Sequence, residues 1–160
     1  MKNGIDMITF IEKGNIFKVK GVNNYAHGCN CAGAMGKGIA LEFKKRYPHM
    51  YKEYKELCKK GEFKLGYVYT YRYENGYVFN LGTQESWKTK VDLIALEISV
   101  DKMFQISKEN CINNIAIPRI GAGLGGGNWA EIRNILIKIS NKYPDINLYV
   151  IENFENIQGL

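Results

Sequence analysis

The chain has 160 residues, 46% of them hydrophobic and 24% charged, with 22 Lys and Arg against 16 Asp and Glu for a net charge of +6. That length supports one well-buried core and is short for two, so residues 1–160 are expected to form a single domain. The hydrophobic content excludes a disordered chain. No apolar run reaches the roughly 20 residues that span a bilayer, and MKNGIDMITF lacks a secretory leader's long apolar stretch, so a cytoplasmic protein without membrane contact is expected. The positive charge favours an anionic partner, with Lys44, Lys45, Lys52, Lys55, Lys59 and Lys60 read as solvated helix faces.

In chain order, 6–11 (DMITFI) and 24–29 (NYAHGC) read as short strands joined by a connection carrying Gly14 and Gly21. A glycine-rich turn leads into the helix IALEFKKRY. Pro48 suits the first turn of a second helix, MYKEYKELCKK, which Gly61 would end. The alternating stretch YVYTYRYENGYVFNL predicts paired strands over 67–73 and 77–81, with Asn75-Gly76 as the turn signal. A polar loop, GTQESWKTK, follows. Residues 91–108 have helical periodicity, with apolar positions 91, 94, 98 and 103. NIAIP is a strand too apolar to have a solvated face; RIGAGLGGGN, the helix WAEIRNILIKIS and the strand INLYVI complete the chain.

Strands alternate with helices, and the later strands are nearly continuous apolar runs, as when helices cover both faces of a sheet. The predicted fold class is α/β, a three-layer α/β/α sandwich around a central mixed sheet. Cys29, Cys31, Cys58 and Cys111 are read as thiols in a reducing compartment, and without a second close cysteine pair no metal and no cofactor is expected.

Two glycine-rich stretches, CNCAGAMGKGIA and PRIGAGLGGGNW, each follow a strand and precede a helix. In open α/β sheets ligands bind at such strand ends, where glycines turn successive N–H groups toward one concavity. The common nucleotide motifs fit poorly. Gly36-Lys37 is followed by Gly38, not Ser or Thr, and Gly121, Gly123 and Gly126 match G-x-G-x-x-G with no acidic residue about 20 positions on.

GNI at 14–16, HGCNCAGAMGKGIALEFKKRYP at 27–48 and PRIGAGLGGGNW at 118–129 together resemble the macrodomain family, which binds ADP-ribose. The pattern N-C-x-G-x-M-G-x-G-I-A with F-K-K-R-Y-P is similar to one branch of it. That branch holds fungal-type ADP-ribose-1″-phosphate phosphatases, terminal ADP-ribose glycohydrolases and antitoxins that strip ADP-ribose from DNA bases. The resemblance implies that Asn15 and Ile16 meet adenine, with Asn where most macrodomains have Asp. It implies that Asn30 bonds the distal ribose, and that Met35, Gly36, Lys37, Gly38 and Ile39 wrap the reacting end with Thr83 and Gln84 beside them. Ile120, Gly121, Ala122, Gly123, Leu124, Gly125 and Gly126 would hold the diphosphate. Cys29 and Cys31 then bracket Asn30 as small buried or half-buried residues.

Glycohydrolases of this branch rely on a lysine after the hairpin and an aspartate in the second glycine loop; Gln84 and Gly125 stand at the matching positions. His27 matches the histidine of the phosphatase-type H-x-C-N-C. It is read either as a proton-transfer group, catalytic together with Asn30, or as a core histidine, since strand alternation can turn it away from the ligand. The leading expectation is a monomeric hydrolase that removes the 1″-phosphate from ADP-ribose-1″-phosphate. The alternatives are a hydrolase that releases ADP-ribose from an ADP-ribosylated protein or nucleic acid, and a reader that catalyses nothing.

Overall fold

The structure, a computed structural model, describes residues 7–156, so the predicted first strand residue, Asp6, lies outside them. Six strands and four helices follow in the order β1 (Ile8–Ile11), β2 (Tyr25–Asn30), α1 (Gly38–Arg46), α2 (Pro48–Lys59), β3 (Val68–Tyr73), β4 (Gly76–Gln84), α3 (Leu93–Glu109), β5 (Asn114–Pro118), α4 (Trp129–Ser140) and β6 (Asn147–Ile151). A short 3-10 turn, Ile16–Lys18, lies between β1 and β2, where the sequence suggested only a connection.

The strands form one sheet in the order β1-β6-β5-β2-β4-β3. All neighbours pair in parallel except β3 and β4, which form the antiparallel hairpin. This is the expected mixed sheet between helical layers. On one face Ile115, Ile117, Leu148, Val150 and Phe79 pack with Leu96, Val100, Met103 and Phe104 of α3 and Ile132 and Leu136 of α4. On the other, Tyr25, Cys29, Val78 and Ala116 pack with Phe43 of α1 and Met50 and Tyr54 of α2. Strand residues alternate between the two cores, as the pleat requires. Among the described residues no helix is long and apolar enough to cross a membrane.

Pro48 stands at the first turn of α2 and Gly61, at φ +71°, follows its end, as expected. Three local expectations need correction. The hairpin turns on Glu74-Asn75, because Tyr73 pairs with Gly76, which is already part of β4. Gly76 serves a different need. A Cβ there would collide with the backbone oxygen of Asn23 and come within 2.9 Å of Asn24 Oδ1, so glycine lets the connection before β2 lie across the hairpin. Second, β4 runs on through Gly82, Thr83 and Gln84, residues assigned to the polar loop. Thr83 tolerates burial because its hydroxyl lies 3.5 Å from Cys29 O and its carbonyl accepts from Asp92 N. Third, α3 buries Ala95, Leu96, Ser99, Val100, Met103, Phe104 and Ser107, which leaves Ile94 74% and Ile98 50% exposed.

Gly76→Ala is expected to lower stability by about 3 kcal/mol through this backbone collision, read as a fall in the urea midpoint. An unchanged midpoint would mean that the connection is free to move away.

Candidate functional site

The candidate site follows from the central position of β2, which runs parallel between β5 and β4. The segments leaving β2, β4 and β5 therefore emerge side by side at one end of the sheet. Cys29 pairs with Gly82 and Asn30 with Gln84, so Thr83 is an extra residue in a bulge. The bulge sets Gln84 opposite Asn30, re-aiming two polar side chains at the sheet end.

Asn30 closes the first glycine loop. Its Oδ1 accepts from Ala32 N at 3.0 Å and Ala34 N at 3.2 Å, its Nδ2 donates to Ala34 O at 2.8 Å, and Tyr54 donates its hydroxyl to Asn30 O at 2.6 Å. One Nδ2 hydrogen remains available to a ligand. Gln84 Nε2 donates to Ser86 O at 2.9 Å and Thr89 O at 2.7 Å, which shapes the next loop and leaves Oε1 as an acceptor.

Beyond these, the loops offer backbone. Among the described residues no hydrogen bond uses the N–H groups of Gly36 and Lys37 in the first loop, or of Gly123, Leu124 and Gly125 in the second. Helix α3 is capped by Asp92, which accepts from Ala95 N, and α4 by Asn128, which accepts from Glu131 N. Helix α1 starts at Lys37 with no side-chain cap and no acidic residue in its first turn, so its orphan N–H groups and dipole face the same loops. The loops touch: a Cβ on Gly38 would lie 3.6 Å from Leu124 Cδ1.

The glycines sort by cause. Gly33, Gly38, Gly121 and Gly126 have positive φ, and a Cβ on Gly125 or Gly127 would sit 2.8 or 2.7 Å from Gly121 O. Gly36 and Gly123 have neither constraint, and a Cβ on either would meet nothing within 4 Å. Nothing within the fold accounts for glycine at these two exposed positions, which suits close approach by a ligand. The constraint on Gly125 also bears on the missing aspartate, because any side chain there presses on Gly121 O unless the loop shifts.

The expected site residues divide by depth. Gly36, Lys37, Gly38, Gly123, Leu124 and Gly126 are exposed, and Asn30, Ile39, Gln84, Gly121 and Ala122 half-buried. Asn15, Ile16, Met35, Thr83 and Ile120 are at most 2% exposed, and Gly125 is buried as well although no hydrogen bond uses its N–H. Asn15 Oδ1 accepts from Phe17 N and its Nδ2 donates to Asn156 Oδ1. Its carbonyl therefore caps the 3-10 turn.

His27 also lies away from the loop surface. It is wholly buried, stacked on Phe43 at 4.1 Å between ring centroids, and its Nε2–H donates to Asn80 Oδ1 at 2.7 Å. Burial pushes its pKa down to about 4, the Asn80 bond opposing only in part. A neutral, water-excluded imidazole beneath the sheet end does not exchange protons with a ligand above it, so the proton-transfer expectation gives way to the core reading. Cys29 is buried and Cys31 half-buried, as expected. Burial raises both thiols, Cys31 to about 11, which keeps them protonated. Among the described residues no three His, Cys, Asp or Glu side chains gather as a metal site. A hollow of about 410 Å³ between α3 and α4, lined by Leu93, Ile94, Ile135 and others, has none of these loop residues in its lining.

A family model described as Macro domain matches residues 26–136. The chain is 31% identical over 143 residues to a DNA ADP-ribosyl glycohydrolase of Mycobacterium tuberculosis, covering 82% of this chain and 40% of that protein, so it spans well under half of that relative's length. It is 29% identical over 171 residues to an ADP-ribose 1″-phosphate phosphatase of Meyerozyma guilliermondii, covering 87% of this chain and 96% of that one. The solved macrodomain of Mycobacterium tuberculosis DarG superposes with a TM-score of 0.83 at 27% identity, covering 94% of this chain and 99% of that one.

The burial of His27 has a pH signature. The unfolded imidazole takes up its proton near pH 6.5 and the folded one only near 4. Its contribution is therefore complete above about pH 6.5 and falls as the pH drops toward 4, by up to about 3 kcal/mol. The difference between wild-type and His27→Gln urea midpoints, followed across this window, should shrink as the pH falls; a constant difference would contradict a buried neutral histidine.

Proposed function

The chain belongs to the macro domain family, and from that premise we propose that the loops after β2 and β5 bind ADP-ribose and that the protein hydrolyses a bond at its distal ribose. The observation that carries this reading is the set of unused N–H groups at Gly36, Lys37 and Gly123–Gly125, together with the uncapped start of α1. These donors suit a diphosphate, which accepts several hydrogen bonds and gains from a helix N-terminus. The free Nδ2 hydrogen of Asn30 serves the distal ribose. For adenine to reach Asn15, the Asn156 side chain has to give way.

We favour ADP-ribose linked to nucleic acid as the substrate. Segment 37–64, beside the first loop, contains nine Lys and Arg against four Glu and so carries +5 of the chain's net +6. Gln84 has no nucleophilic amine, so the attacking group is a water accepted by Gln84 Oε1 and held over the anomeric carbon opposite Asn30. The water oxygen forms the new bond to that carbon as the bond to the base breaks; the water releases a proton to solvent, the departing base nitrogen takes one up from solvent, and the loop N–H groups stabilise the charge on the phosphates throughout. A second reading, removal of a 1″-phosphate, has its own support: similarity to the phosphatase relative extends over 96% of that protein. With His27 buried, that reaction too would rely on positioned water.

Gly123→Ala is expected to leave the urea midpoint unchanged and to weaken ADP-ribose binding at least about tenfold, or ~1.4 kcal/mol, by calorimetry. Undiminished affinity would remove the second loop from the site.

Gln84→Ala should slow ADP-ribose release from ADP-ribosylated DNA by at least about tenfold, whereas Gln84→Lys, which restores an amine, should speed it. If both variants match the wild type on ADP-ribosylated DNA while phosphate release from ADP-ribose-1″-phosphate is rapid, the second reading replaces the first.

A further inference from the structure

The excess positive charge on α1, α2 and the turn after them is unpaired. The ion pairs among the described residues lie elsewhere: Lys13 with Glu155, Arg133 with Glu152, Lys138 with Glu97 and Lys142 with Asp101. Lys44 and Lys55 instead hold their ammonium groups 4.4 and 5.9 Å from the centroid of the Tyr51 ring. Tyr51 donates its hydroxyl to Gly33 O, and a Cβ on Gly33 would lie 3.5 Å from Lys55 Cγ, so this basic face adjoins the first glycine loop.

On its other side that loop meets the segment after β4, where Cys31 N donates to Gln84 O at 2.8 Å and Glu85 O at 3.2 Å. Three residues past Gln84, Trp87 is 64% exposed, with Lys88 Nζ 5.1 Å from its ring centroid. The segment then passes the second glycine loop, with Lys90 Cγ 3.9 Å from where a Cβ on Gly126 would be and Val91 N donating to Gly125 O. The result is one continuous rim: Lys44, Tyr51 and Lys55, then the site, then Trp87, Lys88 and Lys90.

We propose that this rim is a docking surface for single-stranded nucleic acid, with phosphates on Lys44, Lys55 and Lys88 and one base stacked on the Trp87 indole. The proposal rests on the reading of the site as an ADP-ribosyl hydrolase and adds how the carrier of the ADP-ribosyl group is held. The chemistry decides between carriers. Both an acidic peptide and a nucleic acid would gain from the lysines, but a nucleic acid also carries a flat π face beside every phosphate, so any register along the strand sets a base against the exposed indole. A duplex buries that face within its stack. A single strand presents bases free to stack and leaves the modified one able to enter the site. Trp87 packs in neither core, so its exposure costs apolar surface that contact with a base would recover.

The test is fluorescence anisotropy of labelled DNA and RNA single strands of about 12 nucleotides, with free ADP-ribose titrated by calorimetry into the same proteins. The wild type should bind at low salt and lose affinity as salt rises. Trp87→Ala should weaken binding at least about fivefold and Trp87→Phe should recover most of it, while Lys44→Glu with Lys55→Glu should weaken it and flatten the salt dependence. ADP-ribose affinity should stay at the wild-type value in all of these variants. Tighter binding of the DNA or of the RNA strand identifies the natural carrier. No wild-type binding, binding indifferent to Trp87, or equal affinity for a polyglutamate peptide overturns the proposal. Absence of ADP-ribose binding in the wild type instead overturns the assignment of the site, and the oligonucleotide titrations still judge the docking surface by themselves.

Discussion

The parallel pairing of β2 with both β4 and β5 is the constraint on which the rest of the molecule depends. Three strands that run the same way side by side must release their outgoing segments at the same end of the sheet. Two of those segments are glycine loops with unused N–H groups, and the third carries Gln84 and Trp87. The bulge at Thr83 refines this by one residue, bringing Gln84 level with Asn30. With a regular register Thr83 would stand there instead.

Beneath this end the structure is dry and tightly packed. Phe43 of α1 stacks on His27 and meets the edge of Phe17 at 5.0 Å, which ties the first helix after the glycine loop to β2 and to the 3-10 turn. Tyr54 of α2 reaches up to hold the backbone of Asn30. Full burial of a side chain the size of Phe43 contributes about 1.5–3 kcal/mol, so the loop's landing point is fixed by the core and not by the loop. Rigidity below and open backbone above suit a site that binds through main-chain donors, because such donors act only if the chain does not collapse onto them. Asp92 and Asn128 cap α3 and α4, whereas α1 and α2 have no side-chain cap, and of these two it is α1 that follows directly on a glycine loop.

Much of this was legible in the sequence, for reasons that particular residues make plain. NIAIP and the helix WAEIRNILIKIS match β5 and α4 residue for residue, because a short apolar run and a capped periodic segment each allow one interpretation. The glycine loops were legible because glycine spacing reports backbone shape directly. The hairpin turn was misplaced by one residue, since Asn75-Gly76 is a strong local signal and the close approach of Asn23 to Gly76 is not local. Ile94 and Ile98 misled the phase of α3, where the core selects the adjacent stripe through Leu96, Val100 and Met103. The depth of the site residues was least legible. Whether His27 faces a ligand or the core depends on Phe43 and Asn80, 16 and 53 positions away in the chain, and the burial of Asn15 and Ile16 depends on packing that no local pattern encodes.

In the proposed function, unused backbone donors on two adjoining loops form the binding surface. Amide chemical shifts recorded by NMR during titration with ADP-ribose test it most directly. The largest changes are expected on Gly36, Lys37, Gly123 and Leu124, with smaller ones on Gly125, Asn30 and the first turn of α1, while amides lining the hollow between α3 and α4 stay still. Shifts confined to that hollow, or no shifts at saturating ligand, would contradict it.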